Sequence, residues 1–310
     1  MYILISLTSS TKQVLNLKQF LNQTKRYTLH FCVKFNLNDE TPLSKAQYLN
    51  ALRQMKGTKT IIIPISIYSR LHKSVLFLSQ RFGAITIILG NIIGFYPKTF
   101  FESSNKFKQR LVILDDGLIS VSLARLLIRE NRSDKFLMAT TYTTLMPNGV
   151  TLFNLRSKPD TRLAPKRIID SKVLGVFGSP IVESEFITIA ELSSSIDRVR
   201  KKLGCDKVLY IMHRREKSKF TVNHIEEILD DSKEGIKIVL DSKSLPKYWW
   251  SIMSSALVDL ALEEIKGLSF NYSRINSIAQ MDNRYLANMN ISTTDTIFQI
   301  YNQLGFTEIV

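Results

Sequence analysis

Two short clusters carry the residues best suited to chemistry. The apolar run Leu111–Leu114 leads directly into Asp115-Asp116-Gly117, so two carboxylates follow a segment of the kind that forms a buried strand. Charge at such a position is costly to desolvate unless it is paired or used. One carboxylate can act as a general base, because partial desolvation or a second acid raises its pKa and lets it take a hydroxyl proton. The competing reading makes one Asp the cap of a helix beginning near Leu118, with Gly117 supplying the turn. Residue types leave both open.

The second cluster, His213-Arg214-Arg215-Glu216, follows the apolar run 207–212. Guanidinium forks match phosphate oxygens, and an imidazole can donate a proton or hydrogen bond to a departing anion. The alternative is a solvated basic loop, continued by Lys217 and Lys219. Two weaker features accompany it. Ser254-Ser255 lies near the start of an apolar helix, where hydroxyls and unpaired N–H groups make either a phosphate site or an ordinary cap. Gly178-Ser179-Pro180 ends the run 173–177 in a turn through which backbone can approach a ligand.

These clusters need strand ends to hold them, and the chain is patterned to supply them. Short β-rich apolar runs alternate with helix-periodic stretches, the signature of parallel sheets with crossover helices. Strands are expected at 2–7, 28–35, 59–65, 84–89 and Leu111–Leu114, with helices at 12–22, 42–55, 72–80 and 118–129. Residues 135–155 read as further strand, folded as a hairpin through Pro147-Asn148-Gly149. A polar, basic, two-proline stretch at 156–167 reads as a linker. A second series follows, with strands at 173–177, 207–212, 236–240 and 267–270 and helices at 186–202, 221–230, 248–264 and 293–304. The expected organisation is therefore α/β, with Rossmann-like domains at 1–160 and 168–310 whose parallel sheets face a central cleft, where open α/β sheets bind ligands.

Composition narrows the class. The 310 residues are 45% hydrophobic and 22% charged, a folded rather than disordered or fibrous balance. Cys32 and Cys205 stand far apart, which excludes a disulfide scaffold or cysteine-rich zinc module and suits a reducing compartment. His30 is expected on a buried strand, His72 at a surface helix start and His224 on a helix; with no acidic partner at ligand spacing, no metal site is expected. No stretch reaches the roughly 18–20 apolar residues of a spanning helix, and the short start lacks the basic leader of a signal peptide. Net charge is +15, and residues 1–101 hold 13 Lys+Arg against only Asp39 and Glu40. A basic face of this kind meets nucleic acid, anionic lipid or an anionic substrate.

Taken together, Leu114-Asp115-Asp116-Gly117, His213-Arg214-Arg215-Glu216 and Ser254-Ser255 occur in the order of the D/E-D/E-G, His-Pro or His-Arg-Arg-Glu, and Ser/Thr motifs of bacterial GT-B sialyltransferases. The chain most resembles glycosyltransferase family 52, the lipooligosaccharide sialyltransferases, and related sialyl- and polysialyltransferases. Gly178-Ser179-Pro180-Ile181-Val182-Glu183 is similar to the segment that opens their nucleotide domain. The likeness covers mainly 111–117 and 173–260; Arg214 stands in place of the proline of the His-Pro form.

The resemblance implies a GT-B fold and an inverting transfer of sialic acid from CMP-sialic acid to a glycan hydroxyl, a galactoside for example, in surface polysaccharide synthesis. No cofactor or metal is implied. Asp116, helped by Asp115, would deprotonate the acceptor, and His213 would donate to the departing phosphate. Gly178, Ser179, Arg214, Arg215, Glu216, Ser254 and Ser255 would hold the donor nucleotide and its phosphate. The expected partners are the CMP-sugar and a glycan or lipid-linked glycan, with no nucleic acid and with a homodimer allowed. The expected location is cytoplasmic, peripheral on the inner face of a bacterial inner membrane. Two rivals follow from the same residues: a GT-B transferase using another CMP-keto-sugar or a UDP or GDP sugar, and a non-catalytic basic protein binding nucleic acid or anionic membrane.

Overall fold

Strand segments such as LVIL and FLMAT are apolar on both pleat faces, a pattern that demands cover on both sides and so favours parallel sheets. The computed structural model builds two such sheets, and it describes residues 2–24, 29–36, 41–55, 59–90, 95–115, 117–155, 167–222, 224–228, 235–275 and 291–310. Contacts divide the chain into two units, 1–158 with 288–291, and 159–287 with 292–310. The expected linker at 156–167 lies, apart from Arg167, outside the described residues.

The first unit runs β1 (Ile3–Thr8), α1 (Thr11–Thr24), β2 (Leu29–Lys34), α2 (Pro42–Gln54), β3 (Thr60–Pro64), α3 (Ile65–Arg81), β4 (Ile85–Leu89), α4 (Phe95–Glu102), β5 (Leu111–Leu114), α5 (Ile119–Arg129), β6 (Phe136–Thr140) and β7 (Thr151–Asn154). Its seven strands are all parallel in the order β3-β2-β1-β4-β5-β6-β7. Alternate residues Leu4, Cys32, Ile88, Val112 and Ala139 pack against Val14, Leu17 and Phe20 of α1 and Tyr48 and Leu52 of α2.

The second unit runs β8 (Ile168–Phe177), α6 (Ile189–Lys202), β9 (Lys207–Ile211), β10 (Ile225–Ile228), α7 (Gly235–Leu240), β11 (Ser244–Ser251), α8 (Ser255–Ala261), β12 (Ser269–Tyr272), α9 (Thr293–Gln303) and β13 (Thr307–Glu308). Its strands, also parallel, lie in the order β10-β9-β8-β11-β12-β13. Numbered within their own units, both sheets contain the order 3-2-1-4-5-6. That order reverses direction between β1 and β4 and between β8 and β11, the switch points at which such sheets take ligands. α6 starts on a capping box: Thr188 Oγ1 accepts the Glu191 N–H and the Glu191 carboxylate accepts the Thr188 N–H.

Several expectations are corrected. The hairpin through Pro147-Asn148-Gly149 is a crossover, because β7 joins β6 in parallel register and the chain must return rather than reverse. The expected strand 236–240 is the short helix α7. The expected helix 221–230 contains β10, an edge strand in which Ile225 and Ile228 flank Glu226 and Glu227. The expected helix 248–264 is strand up to Ser251 and helix only from Ser255. Pro246 obscures β11 in the sequence, and it is tolerated because the β11/β8 register shifts just beyond it. His72 lies buried within α3 among the rings of Tyr68, Tyr96 and Phe100, and His224 lies in a turn. Among the described residues no helix is long and apolar enough to cross a membrane.

Trp249 shows how tightly β8 and β11 are joined. Its ring stacks on Phe177 at 4.9 Å and lies over Gly175, where a Cβ would sit 2.5 Å from the indole. Gly175→Ala should therefore destabilise the second unit by about 1–3 kcal/mol through overpacking, measured by urea unfolding followed through tryptophan fluorescence.

Candidate functional site

In the first unit, Asp115 ends β5 and is fully buried. Its Oδ1 accepts the Gly117 N–H at 2.7 Å and the Ser120 hydroxyl at 3.3 Å. Its Oδ2 accepts both hydroxyls of Thr140 and Thr141, at 3.3 and 2.9 Å, and the Thr141 N–H at 3.3 Å. The Asp115 carbonyl accepts from Asn16 Nδ2 at 3.0 Å. Gly117, at φ 81°, makes the turn that a side chain would strain. Asp115 therefore knits the ends of β5 and β6 to the start of α5, and its lone pairs are spent on that task. Asp116 lies outside the described residues. On the same sheet edge the Lys12 ammonium donates to the Tyr142 hydroxyl at 2.8 Å.

In the second unit, Gly178-Ser179, His213–Glu216 and Ser254-Ser255 leave the carboxyl ends of β8, β9 and β11, three neighbouring strands. They are cross-tied. Glu216 turns inward: Oε1 accepts the Tyr210 hydroxyl at 2.6 Å, Oε2 accepts the His213 N–H, and the Ser179 N–H adds a third bond. A Cβ on Gly178 would overlap that carboxylate and approach the Tyr210 hydroxyl to 2.8 Å. Glycine is thus required by the close approach of Glu216, which accounts for the position without any ligand. Glu183 makes the reciprocal tie, accepting the Lys217 and Ser218 N–H groups at 2.6 and 2.9 Å. On the other side, Ser179 Oγ donates to the Met253 carbonyl, and Ser251 Oγ donates to the Phe177 carbonyl at 2.9 Å.

His213 is oriented by its neighbour. Its Nδ1 accepts the Arg215 N–H at 3.2 Å, so the neutral ring carries its proton on Nε2. Arg215 is exposed and Arg214 half-buried. Ser254 caps α8, accepting the Ala256 N–H at 3.2 Å, and its own backbone is gripped by Tyr301, whose hydroxyl accepts the Ser254 N–H at 2.9 Å and donates to the Ser254 carbonyl at 3.1 Å. Ser255 is the first helical residue, and both serines are half-buried.

The sequence reading grouped Glu216 with the ligand-binding residues, whereas its carboxylate is committed to the clasp. It missed Tyr210, Glu183 and Tyr301. Tyr210 and Tyr301 look like core aromatics, and only their hydroxyl partners distinguish them. Glu183 stood at the end of the Gly178-Ser179-Pro180 segment with no sign of its direction. Among the described residues no group of three or more His, Cys, Asp or Glu is positioned to hold a metal ion. The sequence matches no protein-family model and no curated protein.

Burial pushes the Glu216 carboxyl up from 4.5 to about 7, against the pull of its three hydrogen-bond donors and with a further push from Glu183. Its folded pKa exceeds its unfolded one, so the stability it contributes is complete below about 4.5 and is lost as pH rises through about 7. Burial lowers His30 to about 4, which acts in the opposite sense at the acid end. The test is therefore the difference between proteins. Relative to Glu216→Gln, the native chain should lose on the order of 3 kcal/mol between those limits in pH-dependent urea unfolding. Asp115→Asn should cost about 1–3 kcal/mol at every pH near neutrality, because an amide N–H₂ then faces buried donors.

Proposed function

We propose that the protein is an inverting, metal-independent glycosyltransferase of GT-B architecture that moves sialic acid from CMP-sialic acid to a glycan hydroxyl, at the cytoplasmic face of a bacterial inner membrane. The observation that carries this reading is the convergence of Gly178-Ser179, His213-Arg214-Arg215 and Ser254-Ser255 on the carboxyl ends of β8, β9 and β11, beside the switch point of a 3-2-1-4-5-6 sheet. Residues separated by dozens of positions in the chain gather where such sheets bind nucleotides.

In this reading the second unit binds the donor and the first binds the acceptor. Asp116 takes the proton of the acceptor hydroxyl as its oxygen bonds to the anomeric carbon of the donor sugar. The bond from that carbon to the phosphate breaks on the opposite face, and CMP departs with the electron pair. His213 Nε2–H donates to the phosphate as charge builds, while Arg214 and the hydroxyls of Ser254 and Ser255 hold its oxygens. The backbone bond from Arg215 to His213 supports this role, since it fixes the tautomer that donates from Nε2. Asp115, Glu183 and Glu216 are positioning residues that keep the turns in register.

The test is incubation of the purified chain with CMP-sialic acid and a panel of galactosides, lipid-linked glycans and sialosides, read by CMP release and product mass. Transfer should persist in a chelator. His213→Ala and Asp116→Ala should each lower kcat by about 100-fold or more with unchanged melting temperature. Turnover only with UDP or GDP sugars would sink the donor assignment. Steeply salt-dependent binding to DNA or RNA without CMP release from any donor would favour the non-catalytic rival.

A further inference from the structure

The outer face of α3 departs from the usual pattern of a sheet-covering helix. Tyr68, His72 and Ser79 are buried on its inner side. Its outer side is expected to be polar, yet Ile67, Leu71, Phe77, Leu78 and the following Phe82 are 41–57% exposed. Ile67, Leu71 and Leu78 follow the spacing i, i+4, i+11 and so form one stripe along the helix. With Ile61, these residues make up six of the nine large hydrophobic side chains exposed among the described residues. Scattered exposed apolar residues need no explanation, whereas a contiguous set marks an interaction surface.

The charge beside the stripe narrows the occupant. Arg70, Lys73 and Arg81 are all exposed on α3. None of them pairs with a carboxylate among the described residues. The sequence explains why: residues 41–101 contain eight Lys+Arg and no Asp or Glu. Two copies meeting through this stripe would bring like charges together with nothing to neutralise them. The stripe itself, Ile67, Leu71 and Leu78, is wholly aliphatic and offers a protein groove no polar contact. An apolar face edged by cations matches a bilayer whose headgroups are anionic.

We propose that α3 is a membrane-docking helix that lies along an anionic bilayer surface, with Ile67, Leu71 and Leu78 entering the headgroup boundary and Arg70 and Arg81, on the flank of that stripe, contacting lipid phosphates. Its biological setting rests on the membrane-side location proposed above. Its test uses neither donor nor acceptor, so loss of binding and loss of transfer are separate results.

The experiment is flotation of the full chain with phosphatidylcholine vesicles, with and without about 30% phosphatidylglycerol. Binding to the anionic vesicles is expected at about 0.1 M salt, with strong weakening at about 0.5 M as charges are screened. Leu71→Ser/Leu78→Ser should weaken binding about tenfold or more, and Arg70→Gln/Arg81→Gln about tenfold, with unchanged melting temperatures. No binding of the native chain to anionic vesicles would overturn the proposal. So would native-like binding by the Leu71/Leu78 variant, or that variant converting a dimer to a monomer while vesicle binding stays intact.

Discussion

The inward-turned carboxylate of Glu216 is the interaction on which the second unit's strand-end edge depends. Taking a carboxylate out of water costs several kcal/mol unless donors replace the water. Tyr210, His213 and Ser179 supply those donors, and together they span β9, the turn after it and the turn after β8. Gly178 is the concession that lets the carboxylate come this close. Once Glu216 is seated, the backbone of His213 is fixed, the next turn brings the Arg215 N–H onto its ring, and the imidazole takes a defined tautomer. Glu183 closes the loop from the other side. Burial outweighs these hydrogen bonds and holds the carboxyl above its ordinary range, so the clasp that orders the turn is least costly when the group is protonated.

The first unit solves the same problem with Asp115. There too a buried carboxylate at a strand end collects N–H and hydroxyl donors from the neighbouring strand end and from the following helix. In both units a buried acid ties the strand-end turn together, and the group proposed for proton transfer is a near neighbour in sequence, Asp116 or His213. A reactive side chain must keep lone pairs or a proton available, whereas a clasp must use them up. Adjacent residues divide those demands, which a single residue cannot meet.

Much of the architecture was legible in the sequence, and the failures have physical causes. β1 to β5, α1, α2 and α5 were readable because buried parallel strands are continuous apolar runs and crossover helices are periodic, whereas only the second half of α3 was expected and the eight-residue α4 was not. α6 and α9 were readable for the same reason. β11 was hidden because Pro246 argues against a central strand and Trp249-Trp250 fit either period; its identity comes from Phe177 and Gly175, which lie more than 70 positions away. The six-residue α7 is too short for periodicity to separate it from a strand. The clusters at Asp115 and His213 were visible as residue types at strand ends. Side-chain direction was not, since nothing local tells an outward Glu216 from an inward one.

Direction also separates the two kinds of positive charge in this chain. The cations of α3 are exposed and pair with no carboxylate among the described residues; such charges act over about a Debye length and weaken with salt, so they are suited to a broad anionic surface that needs no fixed geometry. Arg214 and Arg215 lie in a turn held by Glu216 and Glu183, where short, oriented hydrogen bonds matter more than net field. The excess of +15 is therefore not one property. Its larger part, eight charges, is spread over the acid-free stretch 41–101. At the carboxyl end of β9, by contrast, two carboxylates that subtract from the net charge give the arginines beside them a defined position.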